Sequence, residues 1–230
     1  MRKSWLVPCI NAVFIIFLFP SLFSNLFAAT EDYAGAYTCT FSGGITGIAI
    51  VHVSTSGSLE GVIWSEQQQT VDYVAGWASV DENGIFSFVS YCGMQVDGSI
   101  STEGAISGSW VYQSASGSLA GEKDNGSLDA YAGSYSGTFS GDYTGTWSAG
   151  IDSEGIISGE FQRNGQSGTD EVNMGMIDSA GNMIMISYED ISAKGEIDGS
   201  GAISGVWNDG TYSGTYTTAA ASSSSSGGGG

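Results

Sequence analysis

Tyr33-Ala-Gly-Ala-Tyr-Thr-Cys-Thr-Phe-Ser-Gly43 returns as Tyr131-Ala-Gly-Ser-Tyr-Ser-Gly-Thr-Phe-Ser-Gly141, 98 residues later. A second pair, Gly104-Ala-Ile-Ser-Gly-Ser-Trp110 and Gly201-Ala-Ile-Ser-Gly-Val-Trp207, is offset by 97. Two matches at nearly one offset, spanning most of the unit, identify an internal duplication. The units are 30–123 and 129–218, with 124–128 as linker. Residues 219–230 form a Ser/Gly-rich tail with nothing to bury, expected to be a disordered spacer.

Six turn signals set the secondary structure: Ser54-Thr-Ser-Gly57, Asp81-Glu-Asn-Gly84, Ser101-Thr-Glu-Gly104, Asp152-Ser-Glu-Gly155, Asp178-Ser-Ala-Gly181 and Asp198-Gly-Ser-Gly201. Asp or Ser opens each turn by accepting backbone amides, and Gly closes it at positive φ. Alternating apolar and polar residues flank the turns, and helical periodicity is absent after the leader. The first unit reads as strands at 33–42, 45–54, 58–65, 71–81, 85–92, 95–101, 105–113 and 117–122, repeated in the second. The fold class is therefore all-β: two tandem antiparallel meander β-barrels, or barrel-like sandwiches, of about eight strands each. Gly-x-aromatic spacings such as Gly108/Trp110, Gly145/Trp147 and Gly205/Trp207 put small and large residues on one strand face. Rings packed over glycines suit a small barrel.

The two copies serve as controls for each other. Ala49, Val51 and Val53 align with Trp147, Ala149 and Ile151, an interior face in both units. On the opposite face the first unit carries Ile48, Ile50, Val62 and Trp64, where the second has Thr146, Ser148, Glu160 and Gln162. Trp77, against Met174, and Val89, against Ile186, are read as extending this patch. An apolar surface of that kind is an interface, and the second repeat packing on the first is the reading preferred over an outside partner. Cys39 and Cys92 belong to the first unit, and their counterparts are Gly137 and Glu189. Paired presence and paired absence suggest a disulfide, which export permits. In a round barrel strands one and five face each other across the interior, beyond the ~7 Å Cα limit; the bridge requires a flattened barrel.

Composition restricts function. The sequence pI of about 4.1 excludes nucleic-acid binding. Residues 1–29 have a basic start at Arg2 and Lys3, an apolar run and Ala28-Ala29, and read as a signal peptide. Its removal leaves 3 basic residues, Lys123, Arg163 and Lys194, against 24 acidic ones, a formal charge of −21. No membrane span is expected in the mature chain. The only imidazole is His52, and no G-x-S-x-G elbow, phosphate loop or zinc spacing occurs, so no enzyme is expected. Calcium is the one cofactor raised, by acidic turns such as Asp81-Glu82 and Asp152–Glu154. Turn chemistry accounts for these residues without a metal. The loops at the other barrel end are longer and differ between repeats; Arg163 and Lys194 are the binding candidates there.

The stretch Tyr135-Ser-Gly-Thr-Phe-Ser-Gly-Asp-Tyr-Thr-Gly-Thr-Trp147, with Gly-x-Ile-Ser-Gly-x-Trp in both halves, resembles Gly-rich β-repeat domains of exported bacterial proteins. Tyr135–Phe161 is more loosely similar to the opening hairpin of avidin- and lipocalin-type barrels. The resemblance implies a β-barrel that is secreted or held in the bacterial periplasm or at the cell surface. The functional expectation is a non-catalytic binding or scaffolding module with a protein or glycan partner. The alternative is a calycin-like barrel carrying a small ligand. The inner face decides: Trp110, Trp147, Phe161 and Trp207 either fill the barrels or leave room for a ligand.

Overall fold

A computed structural model of the chain describes residues 30–218. The expected signal peptide and the Ser/Gly-rich tail lie outside the described residues. Two 3₁₀ turns, Thr30–Tyr33 and Leu128–Ala130, each precede an eight-stranded unit. The first unit contains β1 (Gly35–Gly43), β2 (Gly47–Val53), β3 (Ser58–Ser65), β4 (Thr70–Ser79), β5 (Ile85–Val89), β6 (Gln95–Ile100), β7 (Ala105–Tyr112) and β8 (Ala115–Lys123). The second contains β9 (Gly133–Gly141), β10 (Gly145–Ile151), β11 (Ile157–Arg163), β12 (Asp170–Ile177), β13 (Asn182–Ser187), β14 (Ser192–Ile197), β15 (Ile203–Asn208) and β16 (Ser213–Thr218). The fold is thus all-β, with two antiparallel meanders. Among the described residues no helix is long and apolar enough to cross a membrane.

The turns work through the opening residue. Asp81 Oδ1 accepts the amides of Asn83 and Ile85, both at 2.8 Å. Asp152 Oδ1 does the same for Glu154 and Ile156 at 2.9 Å. Gly84 and Gly155 close these turns at φ of 77° and 80°, where a side chain would be strained. A tyrosine at the start of each unit adds a repeated tie. The Tyr37 hydroxyl donates to the Tyr33 carbonyl at 2.6 Å, and that of Tyr135 to Tyr131 at 2.8 Å.

Each interior is a separate apolar core. Tyr37, Phe41, Leu59, Phe86, Ile106 and Trp110 belong to the first, and Phe139, Trp147, Phe161, Met183, Trp207 and Tyr216 to the second. The rings do pack over glycines, along one strand at Gly133 and Tyr135 but most closely across strands. Trp110 pairs with Gly117, Trp147 with Gly137 and Trp207 with Gly214. A Cβ at Gly117 would lie 2.7 Å from the Trp110 ring. The indole N–H groups of Trp110 and Trp207 donate to the carbonyls of Ser42 and Ser140, at 3.2 and 3.1 Å.

The second sheet is a closed barrel; the first runs β4-β3-β2-β1-β8-β7-β6-β5 and does not pair β4 with β5 along their length. Between Leu59↔Ala78 and Gly61↔Val74, β4 advances four residues while β3 advances two. Such a bulge bends the strand. The β4/β5 seam is held by the Val80↔Phe86 bridge, by Tyr91 N–H to Tyr73 O at 2.9 Å, and by the Trp77 indole N–H to Val89 O at 3.0 Å.

The expected disulfide is corrected. Among the described residues Cys39 and Cys92 are both free, Cys39 buried and Cys92 exposed. β8, β7 and β6 stand between β1 and β5 in the sheet. β5 also ends at Val89, three residues before Cys92, which sits in a turn. The alternation that would aim it inward is therefore broken.

Candidate functional site

A third apolar cluster lies between the barrels. Ile50, Val62, Trp64 and Val71 of the first meet Met176, Ile184 and Ile186 of the second, with Ile48, Tyr73 and Met174 at the margin. Each fully buried side chain of this kind contributes about 1.5–3 kcal/mol relative to exposure. Polar contacts frame the cluster. Val71 N–H donates to Ser192 Oγ at 2.9 Å, Ser179 N–H donates to Asp124 Oδ2 at 2.5 Å, and Lys194 Nζ lies 2.5 Å from Glu66 Oε1. Lys194 lies in β14 and not on an end loop, with Nζ 5.9 Å from the centre of the Trp64 ring. Its ammonium holds the Glu66 carboxyl below the usual range.

Trp77 and Val89 do not extend this cluster; they are 57% and 53% exposed. By the repeat offset they are the counterparts of Met174 and Ile186. They therefore occupy, on the first barrel, the face that the second barrel uses for docking. The two apolar faces are different faces of one repeat, which a single patch reading merges.

The ends opposite the Asp-Gly turns differ more. In the first barrel Ser90 Oγ donates to Asp72 Oδ2, Cys92 N–H to Asp72 Oδ1 at 2.9 Å, and Met94 N–H to Ser90 Oγ at 2.9 Å. The second barrel repeats this clasp: Ser187 Oγ to Asp170 Oδ2 at 2.5 Å, Glu189 N–H to Asp170 Oδ1 at 3.1 Å, and Ile191 N–H to Ser187 Oγ at 3.0 Å. The clasp fixes the β5–β6 and β13–β14 loops over the barrel mouths.

Above the first mouth lies a cleft of about 320 Å3. Phe41, Ile63 and Met94 form its floor, Tyr91, Cys92 and Tyr112 its wall, and Asp190, Ser192 and Asp209 of the second barrel its far side. Below the floor the interior is nearly full, with a void of about 20 Å3 lined by apolar side chains. Burial, then the carboxylates of Asp72 and Asp190, push the Cys92 thiol up to about 11. Gln69, Gln113 and Asp190 have φ of 52°, 53° and 62°, and all three belong to loops at this end. Non-glycine residues in that region carry strain, which gathers at binding sites.

The second mouth is plugged. Arg163 Cζ lies 4.5 Å from the centre of the Tyr143 ring, and Nη2 is 3.1 Å from Asp209 Oδ2. Tyr143 in turn packs on Tyr212, with ring centres 4.5 Å apart, and stacks at 6.2 Å on Trp207. The remaining space there is about 90 Å3. The first-barrel counterparts of Tyr143, Arg163 and Tyr212 are Ile45, Ser65 and Ala115, so the same position is left open. Arg163, a binding candidate from sequence, is thus engaged by its own barrel. The open mouth was missed because it is made by small residues; aligning Ser65 with Arg163 and Ala115 with Tyr212 is the signal that finds it. Among the described residues no three His, Cys, Asp or Glu side chains form a group that could hold a metal ion.

No protein-family model and no curated protein matches the chain. Among solved structures it is similar to a protein of unknown function from the DUF3598 family of Nostoc punctiforme, with 10% identity over 83% of this chain and 98% of that one. The TM-score is 0.27, and a likeness at that level carries no argument about fold or activity.

Proposed function

We propose that the chain is a non-catalytic exported binding module, secreted or held in the bacterial envelope, whose binding site is the mouth of the first barrel. One observation carries this reading: the cleft of about 320 Å3 occupies a position that the second repeat fills with its own side chains. Its floor is apolar and part of its polar rim is fixed by hydrogen bonds and an ion pair, in keeping with a small-ligand site. The engaged state of two of its carboxylates also supports a binding role over a catalytic one. Asp72 is held by Ser90 and by the Cys92 amide, Asp209 by Arg163, and Cys92 remains a neutral thiol at ordinary pH.

The carrier reading survives in altered form. The interior void of about 20 Å3 holds at most a water-sized occupant, so a carried ligand rests in the mouth and not inside the barrel. A fragment screen by protein NMR tests the proposal. Hits are expected to shift the signals of Tyr91, Tyr112 and Met94 and to leave Tyr143 and Tyr212 unmoved. Hits confined to the outer faces, or no hits, would overturn it.

A further inference from the structure

We infer that the ligand of the first mouth is a neutral oligosaccharide, one end seated in the cleft and the following sugars laid along a strip of aromatic rings on the β4–β5 seam. This rests on the reading that the mouth is the binding site. The strip starts inside the cleft. Tyr91 is part of the cleft wall and is 63% exposed. Its ring stacks on that of Tyr73 with centres 4.8 Å apart, and the Tyr73 ring lies 6.3 Å from that of Trp77. Tyr91 N–H donates to the Tyr73 carbonyl and the Trp77 indole N–H to that of Val89, so the rings are tied to the backbone of the seam. Rings placed before a ligand arrives lose little freedom when it binds.

Exposed apolar groups gather on this side of the barrel. Trp77, Ile85, Val89, Tyr91 and Val111 are all exposed, and the register carries Val89 through Gln95 to Val111. A patch of that kind marks a contact surface. The same face of the second repeat makes its joint through Met176, Ile184 and Ile186. Here Ser79 and Ser87 stand in place of Met176 and Ile184, so the face mixes rings with polar groups and does not repeat an aliphatic joint. The cleft is mixed in the same way. Above its apolar floor Gln68, Thr70 and Asp190 bring an amide, a hydroxyl and a carboxylate. None of the three is taken up by the Asp72 clasp, the Arg163 pair or the polar contacts between the barrels. A sugar ring has both kinds of surface: C–H groups that pack on the negative face of an aromatic ring, and hydroxyls that exchange hydrogen bonds with amides and carboxylates. A wholly apolar ligand would leave the rim groups covered and unpaired, which is costly. Charge narrows the class further. Among the described residues no basic side chain lines the cleft, and the mature formal charge of −21 repels a sulfated, phosphorylated or uronic-acid chain.

The test is NMR titration of the tandem chain with cellohexaose, maltohexaose and chitohexaose. Hexagalacturonate is the charged control, and the disaccharide of the hexamer that binds is the length control. At least one neutral hexamer is expected to shift Met94, Tyr112, Tyr91 and the Trp77 indole together and to leave Tyr143 and Tyr212 unmoved. Its disaccharide should bind about tenfold more weakly and leave the Trp77 indole unmoved. Trp77→Ala should weaken the hexamer about tenfold, whereas Trp77→Phe, which loses the seam bond and keeps a ring, should stay within about threefold. Equal losses in the two variants would give Trp77 a structural role and overturn the strip. Should Trp77→Ala fail to fold, Tyr91→Ala replaces it, and unchanged affinity there overturns the strip. Hexagalacturonate binding as tightly as the neutral hexamers would overturn the neutral class. If none of the three neutral hexamers moves these signals, the saccharide is overturned. The mouth then still stands if small fragments shift Tyr112 and Met94, and falls with it if they do not.

Discussion

In the second barrel β12 runs against β13 from Ile177↔Met183 to Val172↔Ser187, and the sheet closes. In the first, the equivalent pairing starts at Val80↔Phe86 and goes no further as a ladder. The bulge in β4 turns the backbone away, and a side chain, Trp77, reaches across to Val89 in place of a backbone amide. The mouths differ in the same sense, one plugged by Tyr143, Arg163 and Tyr212 and the other open. Turn chemistry, tyrosine ties, Asp–Ser clasps and ring-over-glycine pairs are common to both. Duplication thus separates what the fold requires from what it permits: the repeated contacts build a barrel, and the contacts found in one copy mark specialisation.

The largest way to break the comparison is at the shared face. Trp64→Glu places a charge in the cluster facing Met176 and Ile184 and should cost about 3–5 kcal/mol, the range of a large core loss. Trp77→Glu, at an exposed position, loses the seam bond to Val89 and should cost only about 1 kcal/mol. Urea unfolding of the two variants reads the contrast, and equal losses would contradict the placement of the interface. Tyrosine hydroxyls come next. Tyr37→Phe loses the bond to Tyr33 and should cost about 1 kcal/mol. The Tyr216 hydroxyl is buried without a partner in the second core, so Tyr216→Phe should be neutral or stabilising.

A smaller effect concerns pH. Burial raises the Asp170 carboxyl above its ordinary value of 3.8, against the opposing pull of its bond to Ser187. The folded chain therefore holds that proton more tightly than the unfolded one. The resulting stability is full below about pH 3.8 and fades as pH rises through the raised value. Asp170→Asn should flatten that limb of the stability profile. Asp81 and Asp198 act in the other direction: backbone amides hold Asp81 low, and Ser200 with backbone amides holds Asp198 low. What they contribute is present above the unfolded value and lost as pH falls through the folded one.

The smallest expected changes are local. Trp77→Phe removes the indole bond to Val89 and should speed amide exchange in β5 while leaving β13 unchanged. Both thiols should react at neutral pH more slowly than a free cysteine, because their values are raised to about 12 for Cys39 and about 11 for Cys92. Only Cys92, which is exposed, should label without unfolding. An intact mass two hydrogens short would restore the disulfide.

Strand number, order and interior face were legible because the turns are written in short motifs and alternation carries from each turn into its strands. Trp64 was legible as an interface residue because Gln162 marks its position as surface in the other copy. What failed did so at strand ends and between faces. Nothing in Ser-Phe-Val-Ser-Tyr-Cys92 announces that pairing stops at Val89, since β-forming residues continue. Trp77 and Val89 are apolar like Ile48 and Ile50, and sequence alone assigns both pairs to one surface. The sequence reads Tyr188–Lys194 as an end loop because it differs from its counterpart in the first unit, yet β14 begins at Ser192. The mouth is a property of missing bulk, which alternation cannot report.

The inter-barrel contact joins nonequivalent surfaces of two copies of one unit: strands two to four of the first meet strands four to six of the second. Such a head-to-tail joint has no twofold axis; repeated, it would build a ring or an open filament according to the rotation between copies. Growth from the second barrel would need Ile48, Ile50, Val62 and Trp64 again, and that surface instead presents Thr146, Ser148, Glu160 and Gln162. Growth from the first is interrupted too, since Ser79 and Ser87 stand where Met176 and Ile184 would make the joint. The polar residues in each copy, where the other copy has apolar ones, leave neither outer face of the pair with the side chains that make this joint.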